Sequence, residues 1–474
     1  MPLQNLSTPR SQVVWICIAI CALAVAQIAS FYPGYLSHDS AYQWWQARSG
    51  EITTLWPPGI VFMLQAIARF HDTAPTVLYV LHSVLYWICT TYIVAQQRGF
   101  SARATALAAL CVLPVVAVCL PHVWTDVALT VWLLTACVLL DASTSLRLSA
   151  SCSRWIVGAA AFILIGCTLL RHNAWFALPP LCWWAASRWQ LSTDFARHQI
   201  YVSAASKRLI HSTALTAGLL FAVALAIYAT VPRSVSKVHA STWAITLIWD
   251  LQALSVTSRQ VLVPKSISSD ATIDDLEQSF DRVNAVTLYV KSRAQWANAT
   301  IGLSSEQKSD LLAAWTQAVA QNPLAYLQHR SHVFLKMLGP KRGVERDGSA
   351  DDPGHVQFRD NPRLEFANPS ALRVARLWVD WLKPQWWASP FVWISCSTIF
   401  LVWRIARRRS QREQKSLLYA GMAPSACLWL SGMMYLLPLY MLTPTSDLRY
   451  ALWPTVACVC AALLALRDRH TATS

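Results

Sequence analysis

The chain has 474 residues, 55% hydrophobic and only 13% charged, with a formal net charge of +15 at pH 7. Soluble globular chains carry roughly 25% charged residues, so the composition excludes an ordinary soluble fold. The basic residues fall in short clusters between apolar stretches and form no basic domain, which argues against a nucleic-acid partner.

Bilayer hydrocarbon requires about 20 consecutive apolar residues per helix. Windows of that kind predict ten spanning helices near 12–30, 76–95, 104–121, 124–141, 155–170, 174–190, 212–231, 387–404, 417–437 and 449–466. The first, beginning near Val13, lacks a small-residue cleavage pattern and reads as a retained helix. Pro57 to Phe70 is apolar too, but about 14 residues rise only about 21 Å as a helix. It is therefore read as interfacial or re-entrant. The expected class is all-α: a polytopic helix bundle with juxtamembrane helices in its first outer loop and a mainly helical non-cytoplasmic domain. The divisions are 1–231 with the outer loop at 31–75, then 232–386, then 387–474 with a short cytoplasmic tail.

With the short segment left out, alternation places Arg98/Arg103, Arg147/Arg154, Arg188 to Arg208, the cluster Arg404 to Lys415 and Arg467/Arg469 on one side. The positive-inside rule makes that side, with both termini, cytoplasmic. If Pro57 to Phe70 spanned, basic loops would fall on both sides. In the polar region, Ser304 and Gln307 predict a capping box, and Asn322-Pro323 predicts a break before a second helix over Leu324 to Leu338. Glu345 to Asp360 is acidic and reads as a solvated loop without EF-hand spacing. The 13 cysteines lie nearly all in apolar segments, with none from Pro232 to Gln385, so neither a disulfide framework nor a zinc spacing is implied.

The candidate chemical residues face the opposite, non-cytoplasmic side. His38 and Asp39 follow the first helix and precede an aromatic run in which Tyr42, Trp44 and Trp45 suit the membrane interface. Asp126, in HVWTDVALT, starts its helix. A helix dipole alone would favour a carboxylate there, but an acid in a membrane segment commonly faces a cavity, partner or ligand, and Asp126 could bind a metal or position an acceptor. Arg171-His172-Asn173 holds a cation on the side that should be poor in them. Snorkelling is the simple account, and bidentate binding of a phosphate is the functional one. Asp447, Arg449 and Tyr450, in SDLRYALWP, repeat the pairing of acid and base, although Asp447 and Arg449 could simply pair with each other.

At these residues the chain resembles the GT-C superfamily of polyprenyl-phosphate-sugar-dependent glycosyltransferases, especially bacterial members related to the protein mannosyltransferase and aminoarabinose transferase group. The matching pieces are SHDSAYQ with Asp39, the proline pair of LWPPGI from Trp56 to Ile60, and WTDVALT with Asp126. LRHNAWFALPPL, SDLRYALWP and QNPLAYLQHR are similar to segments of GT-C-like chains. The resemblance implies a bacterial inner-membrane enzyme in which Asp39 is a base or acceptor-positioning carboxylate and Asp126 a second acidic residue. Arg171 and Arg449 would hold donor phosphate, with His38, Trp56, His172, Asn173, Asp447 and Tyr450 lining the substrate site. The donor would be a polyprenyl-phosphate-linked sugar and the acceptor a lipid, glycan or protein. The sequence departs from many relatives in having Ser40 after Asp39 and Trp56 where a lysine often precedes the proline pair, so a divalent metal stays open. Competing readings are a transporter or lipid-linked sugar flippase and a non-catalytic envelope assembly protein.

Overall fold

Among the described residues, prolines and capping residues help divide the chain into nineteen α-helices, with no strand. The structure is a computed structural model that describes residues 10–111, 113–145, 148–192, 203–299, 301–340, 355–410 and 422–467. Arg147, part of the Arg188 to Arg208 stretch, Arg412, Lys415 and Arg469 lie outside the described residues, as does 345–354 of the acidic stretch.

Helix α1 (Arg10–Phe31) leads into α2 (His38–Ser49), α3 (Gly59–Ala68) and α4 (Ala74–Ala95). Ser37 caps α2 by accepting from the Ser40 N–H, and Gly50 closes it at φ 72°, a left-handed conformation that glycine adopts without a Cβ clash. At ten residues, α3 extends about 15 Å, half of what a span requires. It packs against α2 and α4 with Ile60, Val61 and Leu64 buried.

The span expected over 104–121 is instead two helices, α5 (Phe100–Cys111) and α6 (Pro114–Cys119). Pro114 has no N–H to return to the preceding turn and so begins α6. Helices α7 (Thr125–Ser145) and α8 (Ala150–Cys167) follow, then a 3-10 turn at Ala174–Ala177 and α9 (Leu178–Leu191), which has fourteen residues. The 33-residue α10 (Ser203–Val235) leads to the polar region.

That region begins with α11 (Thr242–Ser258), α12 (Ile273–Ser279), α13 (Val286–Lys291), α14 (Ser305–Gln321) and α15 (Pro323–Leu338). Both halves of the Ser304–Gln307 capping box form, and the helix breaks at Asn322-Pro323 as expected. Ile248, Leu251, Leu276, Leu311 and Tyr326 give this group a core of its own. Met337 and Leu338, with Leu372 and Val379 of α16 (Pro369–Leu382), belong instead to the large core of the apolar helices. Residues 232–386 thus contain two physically different parts.

Helices α17 (Pro390–Ser410) and α18 (Pro424–Leu442), a 3-10 turn at Leu448–Ala451, and α19 (Leu452–Arg467) complete the chain. Among the described residues, seven helical segments are long and apolar enough to cross a membrane, namely Val13–Phe31, Ala74–Ala95, Thr125–Thr144, Ala150–Cys167, Ile210–Val235, Pro424–Leu442 and Leu448–Arg467. The last is 89% buried, which puts it at the centre of the bundle. Of the other expected spans, α5/α6 is broken, α9 is short, and α17 carries Arg404, Arg407, Arg408 and Arg409 in its second half. No disulfide joins any two of the thirteen cysteines.

Candidate functional site

The loop between α1 and α2 is pinned to the start of α7 by its backbone. The Tyr35 N–H donates to Pro121 O (2.8 Å) and the Val123 N–H returns to Tyr35 O (3.1 Å). Ser40 Oγ donates to Val123 O (2.7 Å), and Trp124 Nε1 donates to Ser37 Oγ (2.9 Å). These bonds bring Asp39, in the first turn of α2, beside Asp126, in the first turn of α7. A second clamp joins the proline-pair loop to the end of α8, where the Gly59 N–H donates to Leu169 O (2.6 Å). A Cβ at Gly59 would meet that carbonyl oxygen at 2.5 Å, so only glycine permits the approach. His172 Nε2 donates to Leu55 O (3.1 Å), which leaves Nδ1 to accept from the Tyr228 hydroxyl (3.2 Å).

Five charged side chains meet where these clamps converge. Arg449 Nη1 lies 2.9 Å from Asp39 Oδ2, and its Nε lies 2.7 Å from Asp447 Oδ2 and 3.8 Å from Asp126 Oδ2. Arg171 Nη1 pairs with the same Asp126 oxygen and donates to Thr125 Oγ1 at 3.3 Å. Asp447 also caps the turn that carries its partner, accepting from the Arg449 N–H at 3.0 Å. The Arg171 guanidinium lies over the Tyr450 ring (4.7 Å) and that of Arg449 over Trp124 (5.3 Å), aromatic faces that attract cations.

Both simple accounts are thereby modified. Arg171 reaches a carboxylate inside the bundle and does not extend outward to lipid, while Arg449 pairs with Asp447 and two further acids. Asp39 is 31% exposed and reachable, whereas Asp126 is 2% exposed. Asp126 Oδ1 accepts no hydrogen bond among the described residues, and a buried acceptor of this kind is costly unless a water or ligand donates to it.

The remaining candidates frame this centre. Asn173 Oδ1 accepts from the Tyr435 hydroxyl (3.3 Å). Trp56 leans on Tyr42 with centroids 5.5 Å apart, and exposed His38 meets the edge of Phe358 at 5.4 Å. Burial lowers the His172 pKa below its ordinary value. Burial also drives His122, stacked between Tyr35 and Trp124, down to about 3, so its ring stays neutral.

The aromatic run of the first loop does not form a membrane face. Trp44 and Trp45 are buried, and residues 355–361 lie across α2. Phe358 packs on Tyr42 and Trp45, the Val356 N–H donates to Leu36 O (3.0 Å), and Arg48 pairs with Asp360 (3.3 Å). The amphipathic pattern of α2 is satisfied by protein.

A second buried centre escaped the sequence reading. Fully buried Arg330 of α15 pairs with Asp250 of α11 at 2.5 Å and donates to Thr443 O at 2.7 Å. Trp315 Nε1 donates to Asp250 Oδ2 at 2.9 Å. The Ala285 N–H donates to Pro444 O, and the Ser446 N–H donates to Val283 O, each at 2.9 Å. The polar region thus grips 443–446, immediately before Asp447 and Arg449. A lone acid in the apolar stretch TWAITLIWDLQALS was the available signal. At the other end of the bundle, Asp141 makes a two-pronged pair with Arg467 (2.6 and 2.7 Å) and accepts from the Tyr92 hydroxyl (2.8 Å).

Among the described residues no three His, Cys, Asp or Glu side chains are grouped to hold a metal ion. Asp39 and Asp126 each direct Oδ2 at arginine. Comparison with protein-family models, curated proteins and solved structures finds no match. The functional reading therefore rests on the chemistry of the site and the resemblance of its short motifs.

Proposed function

We propose that the chain is a GT-C-type glycosyltransferase that moves a sugar from a polyprenyl-phosphate donor to a lipid, glycan or protein acceptor. In this reading it lies in a bacterial inner membrane with about ten spans, both termini cytoplasmic and the charged centre on the outer face. The observation that carries the reading is Arg449, which faces Asp39, Asp126 and Asp447 together.

The acceptor hydroxyl or amine approaches Asp39, the most exposed of the three carboxylates. Asp39 takes its proton as the acceptor oxygen or nitrogen bonds to the anomeric carbon. The bond from that carbon to the phosphate oxygen breaks, and its electron pair leaves with the lipid phosphate. Arg171 and Arg449 stabilise the departing charge. The described side-chain hydrogen bonds of Arg171 and Arg449 all use Nη1, which leaves further N–H groups to meet phosphate oxygens. A low-dielectric setting makes such donors most effective. Asp126 holds both guanidiniums, and Asp447 orients Arg449. Direct displacement inverts the anomeric centre.

Proteoliposomes loaded with lipid-linked sugars extracted from the source membrane test this reading. Mass spectrometry is expected to find free polyprenyl phosphate and a glycosylated acceptor of inverted configuration with the unsubstituted protein, and neither with Asp39→Asn. Movement of the intact lipid-linked sugar between leaflets without a covalent product would identify a flippase and overturn the proposal.

A further inference from the structure

Helix α16 presents three faces, and the fold covers only one of them. Leu372, Val379 and Leu382 are buried against the protein, where the helix packs on α1 and α6. Arg373, Arg376 and Asp380 form a polar face. Val374, Leu377, Trp378 and Trp381, spaced i, i+3, i+4, i+7, make a second apolar stripe that stands open, at 68%, 64%, 43% and 58% exposure. A helix entirely in water would gain nothing from that stripe, and a helix within a protein core would not carry the polar face.

The position of α16 identifies what meets the stripe. Just before the helix, the Ala367 N–H donates to Tyr32 O (3.2 Å), at the site-facing end of α1. Just after it, exposed Trp386 and Phe391 lead into α17. Exposed Val14, Ile18 and Val25 stand on α1, the helix on which α16 packs, and exposed Tyr32 follows it. The helix thus sits at the bundle end that holds Asp39 and Arg449, and tryptophan settles at the level of the membrane interface.

We infer that α16 lies in the membrane interface at the site end of the bundle, with Val374, Leu377, Trp378 and Trp381 seated among the lipid acyl chains. The inference rests on the reading of the chain as membrane-spanning and adds a lipid-binding surface to it. The helix is also tied to the charged centre. Arg376 Nε donates to the Tyr35 hydroxyl (2.9 Å), Tyr35 stacks on His122 (4.8 Å), His122 on Trp124 (3.9 Å), and Trp124 lies under Arg449. The bilayer surface is thus fixed relative to the site by a continuous set of contacts.

Site-specific photocrosslinking in phosphatidylethanolamine/phosphatidylglycerol vesicles tests the assignment, with p-benzoylphenylalanine (Bpa) as the probe. Leu377→Bpa and Trp381→Bpa are expected to give lipid adducts in yields within about threefold of Phe162→Bpa, on the exposed face of α8, and about tenfold above Glu306→Bpa, in the first turn of α14. Lipid adducts at 162 without adducts at 377 and 381 would overturn the placement of α16 alone. Absence of adducts at 162 as well would overturn the membrane reading beneath it. Protein–protein adducts at 377 would show that a second copy covers the stripe, and would also contradict the inference.

Discussion

Arg449 and Asp39 are 410 residues apart in the chain and 2.9 Å apart in the fold, Nη1 to Oδ2. The start of α2 and the turn before the last helix are thereby one structural unit. The two side chains are expected to respond differently to substitution. Arg449→Met leaves three carboxylates facing one another, whereas Asp39→Asn leaves a partly exposed arginine that keeps two acids. Asp39→Asn should lower stability by about 1 kcal/mol or less, and Arg449→Met by about 3–5 kcal/mol. Transfer should fall by about 10²–10³-fold or more in each. Unfolding temperatures of the detergent-purified variants, measured beside turnover, separate the two effects.

The Asp126–Arg171 pair is buried, so breaking it from one side leaves a charge without its partner. Asp126→Asn and Arg171→Gln should each cost about 3–5 kcal/mol. The double variant should be less destabilised than the sum by a coupling of about 1–3 kcal/mol. Additive losses in a thermal denaturation cycle would show that Arg449 already satisfies Asp126 without Arg171.

Gly59→Ala tests whether the clamp on α8 positions Arg171. The added Cβ meets the Leu169 backbone, which cannot rotate away, so the 55–59 loop and the turn after α8 must separate. A loss of about 1–3 kcal/mol is expected, with a fall in transfer exceeding that of Gly158→Ala, where a Cβ meets nothing within 4 Å. Equal activity in the two variants would remove the clamp from the account.

Acid should loosen the same clamp through His172. Burial holds its folded pKa below the ordinary 6.5, so the unfolded chain takes up a proton first as pH falls. Its contribution to stability is complete above about pH 6.5 and declines below that, toward the folded pKa. Between pH 7.5 and 5.5, values of about these magnitudes bracketing the transition, the unfolding temperature should fall further for the unsubstituted protein than for His172→Gln. An identical fall would place the acid sensitivity elsewhere.

The sequence was most legible where one local rule acts alone. Apolar length identified the seven long helices, and Ser304, Gln307 and Pro323 marked the ends of α14 and α15. It was less legible where tertiary packing decides. Tyr42, Trp44 and Trp45 fit a membrane interface by periodicity, but Phe358, more than 300 residues later, covers Tyr42 and Trp45, and Trp44 is buried in the bundle core. The amphipathic interfacial pattern instead appears in α16, where alternating sectors of Leu372, Val374 and Arg376 obscure a simple two-sided reading. The charged centre was legible as types and ends of helices but not as distances. Nothing local to Arg449 indicates that it turns toward Asp39, because the approach depends on the Tyr35–Pro121 and Ala285–Pro444 backbone contacts. Asp250 is marked only as a lone acid in an apolar stretch, and nothing local to Arg330 indicates that it pairs with it.

The central claim is that Asp39 and Arg449 act together in transferring a lipid-linked sugar, and the most direct measurement is of the cell envelope itself. Glycans and polyprenyl-linked sugars should be quantified by mass spectrometry in cells with the intact gene, a deletion, and the deletion complemented by Asp39→Asn or Arg449→Lys at matched membrane levels. The account predicts that one glycan modification disappears in the deletion and in both variants while its lipid-linked donor accumulates. Unchanged glycans and donor levels in all four strains would contradict it.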